Sequence, residues 1–255
     1  MKILVNGLCG YMGNEIVRAA QRGYGNAEVV GGIDLPGCNP GQIPCATSIA
    51  EAEAMFPANT ADCLIDFSHH SCTEDLMGFA VKTKTPIVVA TTGHTPEELA
   101  MIFQAAKEIP VFHSANMSVG VALLVKLAKT VAAAMPDAEI EIIEKHHDRK
   151  LDAPSGTAMM LYREIASVRP DATANLGRSG QAKRTPNEIG IHAIRMGNIV
   201  GEHEVILGTN TQAITLKHEA FDRALFAEGA IVAAGFVMNC QPGLYDMHDF
   251  LRSEG

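Results

Sequence analysis

The chain has 255 residues, 47% hydrophobic and 19% charged, with a net charge of −9. That composition suits a globular protein with one large core or two small ones. Its acidity excludes a general nucleic-acid binder, which needs a basic face. None of the six cysteines forms a C-x-x-C pair, which argues against a zinc ribbon or a thioredoxin site. Cys9 and Cys63 lie in apolar surroundings and read as small buried hydrophobes. The opening MKILVNG reads as a strand, not a cleavable leader. The apolar stretch 118–135 is interrupted by Lys126 and Lys129, so a buried helix is expected there and no membrane span. The expected location is the cytoplasm, with thiols reduced.

The first 115 residues alternate strand and helix. Residues 2–6 are a short apolar run. Glycines follow, then a helical face carrying Ile16, Val17, Ala19 and Ala20. Further strands are expected at 28–33, 62–67, 85–92 and 110–114. Ser71 and Glu74 have capping-box spacing for one helix. Thr95, Pro96 and Glu98 supply an N-cap, an N1 proline and a capping glutamate for the next. Such repetition implies a doubly wound parallel sheet with ligands at the carboxyl ends of its strands. Residues 139–145 then alternate polar and apolar, as do 191–196, 202–207 and 212–217, with Gly197, Gly201 and Gly208 between them. These read as a mixed or antiparallel sheet in a second domain. Residues 222–239 return to a helical pattern that could pack on the first domain. The expected fold is α/β: a Rossmann-type domain over 1–117 and 222–255, and a smaller α+β domain over 118–221 with a mixed sheet.

The first strand runs into Gly7-Leu8-Cys9-Gly10-Tyr11-Met12-Gly13. Glycines there permit a tight turn, close approach to a pyrophosphate and close helix–strand packing. The following helix points its positive end at the phosphates. The spacing is G-x-x-G-x-x-G, so the first glycine is displaced by one residue. Asp34 ends the second strand 21 residues past Gly13, where a carboxylate can bond the ribose hydroxyls of NAD. Leu35 follows it. A 2′-phosphate would meet Asp34 with no cation beside it, so NADH is expected to be preferred, with NADPH possible. A plain structural turn is the competing reading of the glycines.

Residues 144–158 read EKHHDRKLDAPSGTA. A strand delivers His146 and His147 at its end, pointing to opposite sides. Lys150 adds a fixed charge. Asp152-Ala153-Pro154 turns into a helix start at Ser155, Gly156 and Thr157, where free N–H groups of Gly156 and Thr157 form a carboxylate site. Histidine is the side chain best placed to give up a proton near neutrality. Together they suit a small acidic substrate that gains a proton in a redox or elimination step. The bland readings are a surface histidine pair and a helix-entry turn. A zinc site from His146, His147 and Asp152 is disfavoured, because adjacent histidines rarely converge on one ion; no metal is expected. His69-His70 follows a strand end, where either a cofactor loop or a capped helix start explains it.

This segment closely resembles the signature of the dihydrodipicolinate reductase family, and the resemblance covers essentially the whole chain. Residues 2–13 resemble that family's opening strand and loop. Ala90-Thr91-Thr92-Gly93 and Ser114-Ala115-Asn116-Met117-Ser118-Val119-Gly120 resemble its cofactor loops. Arg195-Met196-Gly197, Gly201-Glu202-His203, His218 to Arg223 and Gly243 to Leu251 echo its later pattern. The resemblance implies reduction of a cyclic unsaturated dicarboxylate, 4-hydroxy-tetrahydrodipicolinate, with hydride from a nicotinamide cofactor. By position it implies His146 as proton donor/acceptor and Lys150 as second catalytic group. His147, Gly156 and Thr157, with Ser155 at the same helix start, hold the substrate. Gly7, Leu8, Cys9, Gly10, Tyr11, Met12 and Gly13 lie under the pyrophosphate and Asp34 on the ribose. Ala90, Thr91, Thr92, Ser114, Ala115, Asn116 and Met117 lie near the nicotinamide. It further implies a role in lysine and diaminopimelate synthesis and a homotetramer built on the second-domain sheets; the crossings near Ser118 and Phe221 are expected hinges for closure on binding. Leu8, Leu35 and Met117 depart from the family's usual residues. The rival readings are another nicotinamide dehydrogenase, such as a semialdehyde or homoserine dehydrogenase, and a non-catalytic NAD-binding sensor.

Overall fold

A computed structural model describes residues 1–253. Its contacts divide the chain into two compact units, Met1–Ser118 with the chain from Ala224 on, and Val119–Arg223. The first unit opens with β1 (Lys2–Asn6), α1 (Tyr11–Gln21), β2 (Glu28–Ile33), β3 (Cys45–Ala46), α2 (Ile49–Met55), β4 (Cys63–Asp66), α3 (Thr73–Thr83), β5 (Ile87–Val89), α4 (Pro96–Ala105) and β6 (Pro110–His113). The second holds α5 (Val119–Ala134), β7 (Glu139–His146), α6 (Gly156–Ala166), β8 (Thr173–Asn175), β9 (Glu188–Arg195), β10 (Gly201–Gly208) and β11 (Ala213–Ala220). The first unit ends with α7 (Ala224–Val237), β12 (Gly243–Tyr245) and α8 (Met247–Ser253).

The first unit is a wholly parallel sheet in the order β12-β6-β5-β4-β1-β2-β3. Strands buried on both faces read as unbroken apolar runs. Ile3-Leu4-Val5, Leu64-Ile65 and Ile87-Val88-Val89 are such runs, and all are buried. The capping box of α4 is complete: Thr95 Oγ1 accepts the Glu98 N–H, and the Glu98 carboxylate accepts the Thr95 N–H. The expected Ser71–Glu74 box does not form. A 3-10 turn over His70–Cys72 precedes α3, whose N-cap is Cys72 without a side-chain bond. The Ser71 hydroxyl lies 2.9 Å from His69 Nδ1, which also accepts the Ser71 N–H, so the hydroxyl does not cap the helix.

The second unit is a mixed sheet in the order β11-β10-β7-β9-β8. Its central strand β7 is antiparallel to β10 and parallel to β9. Period-two alternation in β7 turns Ile140, Ile142, Glu144 and His146 to the buried side. Ile140 and Ile142 join a core with Leu124, Val125 and Ala128 of α5 and Leu161 and Ile165 of α6. Glu144 and His146 continue the same face at the strand's carboxyl end.

Candidate active site

The expected cofactor residues of the first unit all follow carboxyl ends of parallel strands. Gly7–Gly13 link β1 to α1, and Asp34 follows β2. Ala90–Thr92 follow β5, and Ser114–Met117 follow β6. Gly7 takes φ +81, the left-handed region where glycine alone is unstrained. A Cβ on Gly13 would run into the carbonyl oxygens of Gly7 and Leu8. Gly10 is the N-cap of α1 and no side chain caps that end. The turn therefore brings backbone close and leaves a helix start open to an anion, which fits a pyrophosphate. Asp34 faces the loop: its carboxylate accepts the N–H of Cys9 and of Leu35, both at 2.7 Å.

Three expected contacts are backbone contacts at most, because Leu8, Thr91 and Met117 bury their side chains. Leu8 packs beneath Gly32, where a Cβ would strike it at 2.7 Å. An apolar plug thus stands where a glycine is usual. A buried polar network ties the neighbouring strand ends together. Asn6 Nδ2 donates to Asp66 Oδ1 and to Ser68 Oγ, both at 2.8 Å, and the Ser68 N–H donates to Thr91 Oγ1 at 3.0 Å. His69 and His70 have structural work: their rings pack 4.2 Å apart, and His70 Nδ1 lies 2.9 Å from Glu98, the α4 capping residue.

Cys9 departs from expectation, while Cys63 is the small buried residue expected. Cys9 is half-buried and forms a disulfide with Cys38, whose Cα is 5.8 Å away. The two lie on the loops that follow β1 and β2, neighbours in the sheet, within ordinary disulfide span. Cys63 is fully buried as a free thiol, and burial pushes its titration up.

In the second unit one buried carboxylate organises the site. Glu144 Oε2 lies 2.6 Å from His146 Nδ1 and accepts Arg195 Nη1 at 2.8 Å. Its Oε1 accepts Arg195 Nη2 at 2.7 Å and the Ser155 N–H at 3.0 Å. Parallel pairing of β7 with β9 puts Arg195 in register with His146, so the guanidinium reaches back one pleat to Glu144. Burial alone would raise the Glu144 carboxyl, but the bonds from His146, Arg195 and Ser155 outweigh it and hold it at about 2. The other ring nitrogen of His146, Nε2, faces Gly201, where a Cβ would come within 3.2 Å.

Ser155 is 2% exposed. Its Oγ caps α6 through the Ala158 N–H and lies 3.1 Å from His203 Nε2. It therefore supports the site from behind and offers no hydroxyl to a substrate. Lys150 Nζ lies 2.8 Å from Asp152, and the ammonium holds the Asp152 carboxyl below the usual carboxylate range, with the Gly156 backbone adding a little. A carboxylate thus pairs with the ammonium beside the start of α6. Arg195 Nη2 bonds the Asp152 carbonyl and ties this loop, with its cis Ala153–Pro154 peptide, to Glu144. His147 is half-buried. Its Nδ1 lacks a hydrogen-bond partner, and burial, then Arg149, lowers its titration. The zinc alternative fails on geometry. Among the described residues the only three candidate ligands that converge are Cys9, Asp34 and Cys38, not His146, His147 and Asp152.

Glu144, Arg195 and His203 escaped the functional reading. The signal for Glu144 was available, since it lies two residues before His146 and so on the same face of a strand. Their burial makes acid stability a test. Burial, followed by the His146 charge, lowers His203 to about 3. Below the ordinary 6.5 the unfolded chain gains a proton that folded His203 refuses until about 3, so stability falls as pH falls through that window. Glu144 stabilises fully above its ordinary 4.5 and loses that contribution down to about 2. We expect the urea midpoint to fall steadily as pH drops below about 6.5, and more steeply below 4.5 where the Glu144 contribution is lost as well. His203→Gln should make the first decline shallower; an unchanged profile would count against the neutral buried imidazole.

Two family models match the chain: dihydrodipicolinate reductase, N-terminus, over residues 1–117, and dihydrodipicolinate reductase, C-terminus, over 120–251. The chain is 41% identical to the 4-hydroxy-tetrahydrodipicolinate reductase of Caldanaerobacter subterraneus subsp. tengcongensis, covering 99% of this chain and 98% of that one. It is 40% identical to the enzyme of that name from Clostridium novyi, covering 99% of each. Its fold matches a dipicolinate-bound dihydrodipicolinate reductase from Paenisporosarcina sp. TG-14 with a TM-score of 0.81 at 25% identity, over 96% of this chain and 97% of that one. With a glycine-loop unit, a histidine–carboxylate unit and both family models matched almost end to end, the chain belongs to the dihydrodipicolinate reductase family of NAD(P)H-dependent oxidoreductases.

Proposed function

We propose that the protein reduces 4-hydroxy-tetrahydrodipicolinate to tetrahydrodipicolinate in lysine and diaminopimelate synthesis, in the cytoplasm and as a homotetramer. One observation carries the substrate class: a carboxylate, that of Asp152, pairs with Lys150 at 2.8 Å just before the start of α6. A substrate carboxylate takes Lys150 and the Gly156 N–H once Asp152 yields the ammonium. Thr157 and His147 flank that position in sequence and complete the anion site. The relatives' names supply the ring that bears the carboxylates.

The nucleotide belongs to the first unit, with its pyrophosphate over Gly7–Gly13, its ribose on Asp34 and its nicotinamide near Ala90–Thr92 and Ser114–Met117. When bound there, it supplies the hydride. His146 serves as proton donor/acceptor through Nε2, while Nδ1 is held by Glu144, which sets the ring's orientation and tautomer. Lys150 places positive charge beside the bound dicarboxylate and offsets the negative charge that develops on the ring.

The test generates the unstable substrate in situ with its upstream synthase and follows NADH absorbance. No absorbance loss beyond a synthase-only control would remove the reading. Cofactor preference is a separate expectation. Leu35 beside Asp34 is exposed and apolar, and offers a 2′-phosphate no cation. NADH should bind about tenfold more tightly than NADPH, roughly 1.4 kcal/mol. Fluorescence titration giving equal affinities would refute it.

A further inference from the structure

The disulfide has a third sulfur beside it. Cys45 Sγ, a free thiol, lies 3.7 Å from Cys38 Sγ. Cys9 belongs to the glycine loop. Cys38 belongs to the loop between β2 and β3, and Cys45 opens β3 at the edge of the sheet, opposite Gly32. Asp34 lies among them, with its carboxylate on the Cys9 N–H. Bridged to Cys38, Cys9 ties the glycine loop to the segment just past Asp34. The cross-link thus closes over the one carboxylate that is read as the ribose ligand.

We infer that Cys9, Cys38 and Cys45 form a thiol–disulfide exchange site that opens and closes the ribose end of the nucleotide loop. The Cys45 sulfur attacks Cys38, a Cys38–Cys45 bond forms, the Cys9–Cys38 bond breaks, and the proton lost by Cys45 ends on Cys9. The step is an isomerisation, so no external oxidant or reductant is consumed. The new bridge spans only the loop leading into β3 and leaves the glycine loop free. An external dithiol also frees the glycine loop, by reducing Cys9–Cys38 to two thiols and ending as its own disulfide. Burial, then Asp34 and Glu51, pushes the Cys45 thiol up. Attack needs the thiolate, so exchange is slow at neutral pH and is best sought over hours at mildly alkaline pH. The inference rests on the reading of Asp34 as the ribose ligand.

The test purifies the full chain in air, incubates it at alkaline pH, traps free thiols by alkylation and maps bridges in a non-reducing digest. Wild type should yield both Cys9–Cys38 and Cys38–Cys45 peptides, and Cys45→Ser only the first. A wild type that shows only Cys9–Cys38, or no bridge at all, overturns the exchange. NADH titration supplies the functional arm. Oxidised Cys45→Ser, locked shut, should bind NADH about tenfold more weakly than the same protein treated with a phosphine reductant, since closure must be undone before binding. Cys38→Ser should bind tightly in both conditions. If Cys45→Ser binds NADH equally well oxidised and reduced, the switch is wrong while the cofactor reading stands. If no form binds a nicotinamide nucleotide, both fall together.

Discussion

Glu144→Ala is expected to abolish turnover and to destabilise the protein by about 3–5 kcal/mol, the usual cost of stripping one partner from a buried ion pair. The residue is fully buried and serves three donors at once. Without it, the Arg195 guanidinium stays largely covered with no counter-charge, His146 Nδ1 loses its partner, and the Ser155 N–H loses its acceptor. Glu144→Gln separates shape from charge: the amide retains the volume and can still accept from Ser155, but cannot neutralise Arg195. It should fold with a smaller loss and still turn over poorly, because the His146 ring is no longer fixed. Pairing Glu144→Met with Arg195→Met should recover much of the stability lost by Glu144→Ala and none of its activity. Urea melts and steady-state rates read both effects. A Glu144→Ala protein of near wild-type stability would show that the cluster does not organise the unit.

His146→Gln is expected to lower kcat by roughly 10²–10⁴, the range for loss of a positioned general acid. The NADH dissociation constant should not move, because the glycine loop and Asp34 belong to the other compact unit. Glutamine is close in size and can still bond Glu144, so the fold should survive. Stopped-flow fluorescence for NADH and the coupled assay for turnover read the two quantities separately. Full turnover would remove the proton-donor role from His146. A parallel loss of NADH affinity would instead mean that the variant disturbs the whole chain.

Much of this was legible from residues alone, for identifiable reasons. Ile3-Leu4-Val5 and Ile87-Val88-Val89 announce central parallel strands because burial on both faces removes any need for alternation. EIEIIEK announces β7 because only one face is buried. The Thr95-Pro96-Glu98 start of α4 is a local signal with a local partner, and it formed as expected. Ser71–Glu74 has similar spacing and failed, because His69 and a 3-10 turn claimed the same backbone first. β3 and β12 span two and three residues, too short for any periodicity, and owe their pairing to the strands beside them. Among the site residues, His146 and Lys150 stood out by type. Glu144 did not: its place two residues before His146 marked a shared strand face, but its pairing with Arg195 from a strand across the sheet is encoded by no local pattern. The Cys9–Cys38 bridge was invisible for the same reason: its partners meet only because β1 and β2 are neighbours.

The first unit takes helix α7 from beyond the second. α7 packs on α1 and on β4, β5 and β6, and Gly229 in α7 lies so close to Met117 that a Cβ would strike the Met117 carbonyl oxygen. On the ribosome, therefore, the glycine loop emerges early yet waits more than a hundred residues for the helix that backs its sheet. Over that interval a nascent chain exposes an apolar sheet face, so premature termination after Ser118 should yield a chaperone client rather than an independent nucleotide-binding module.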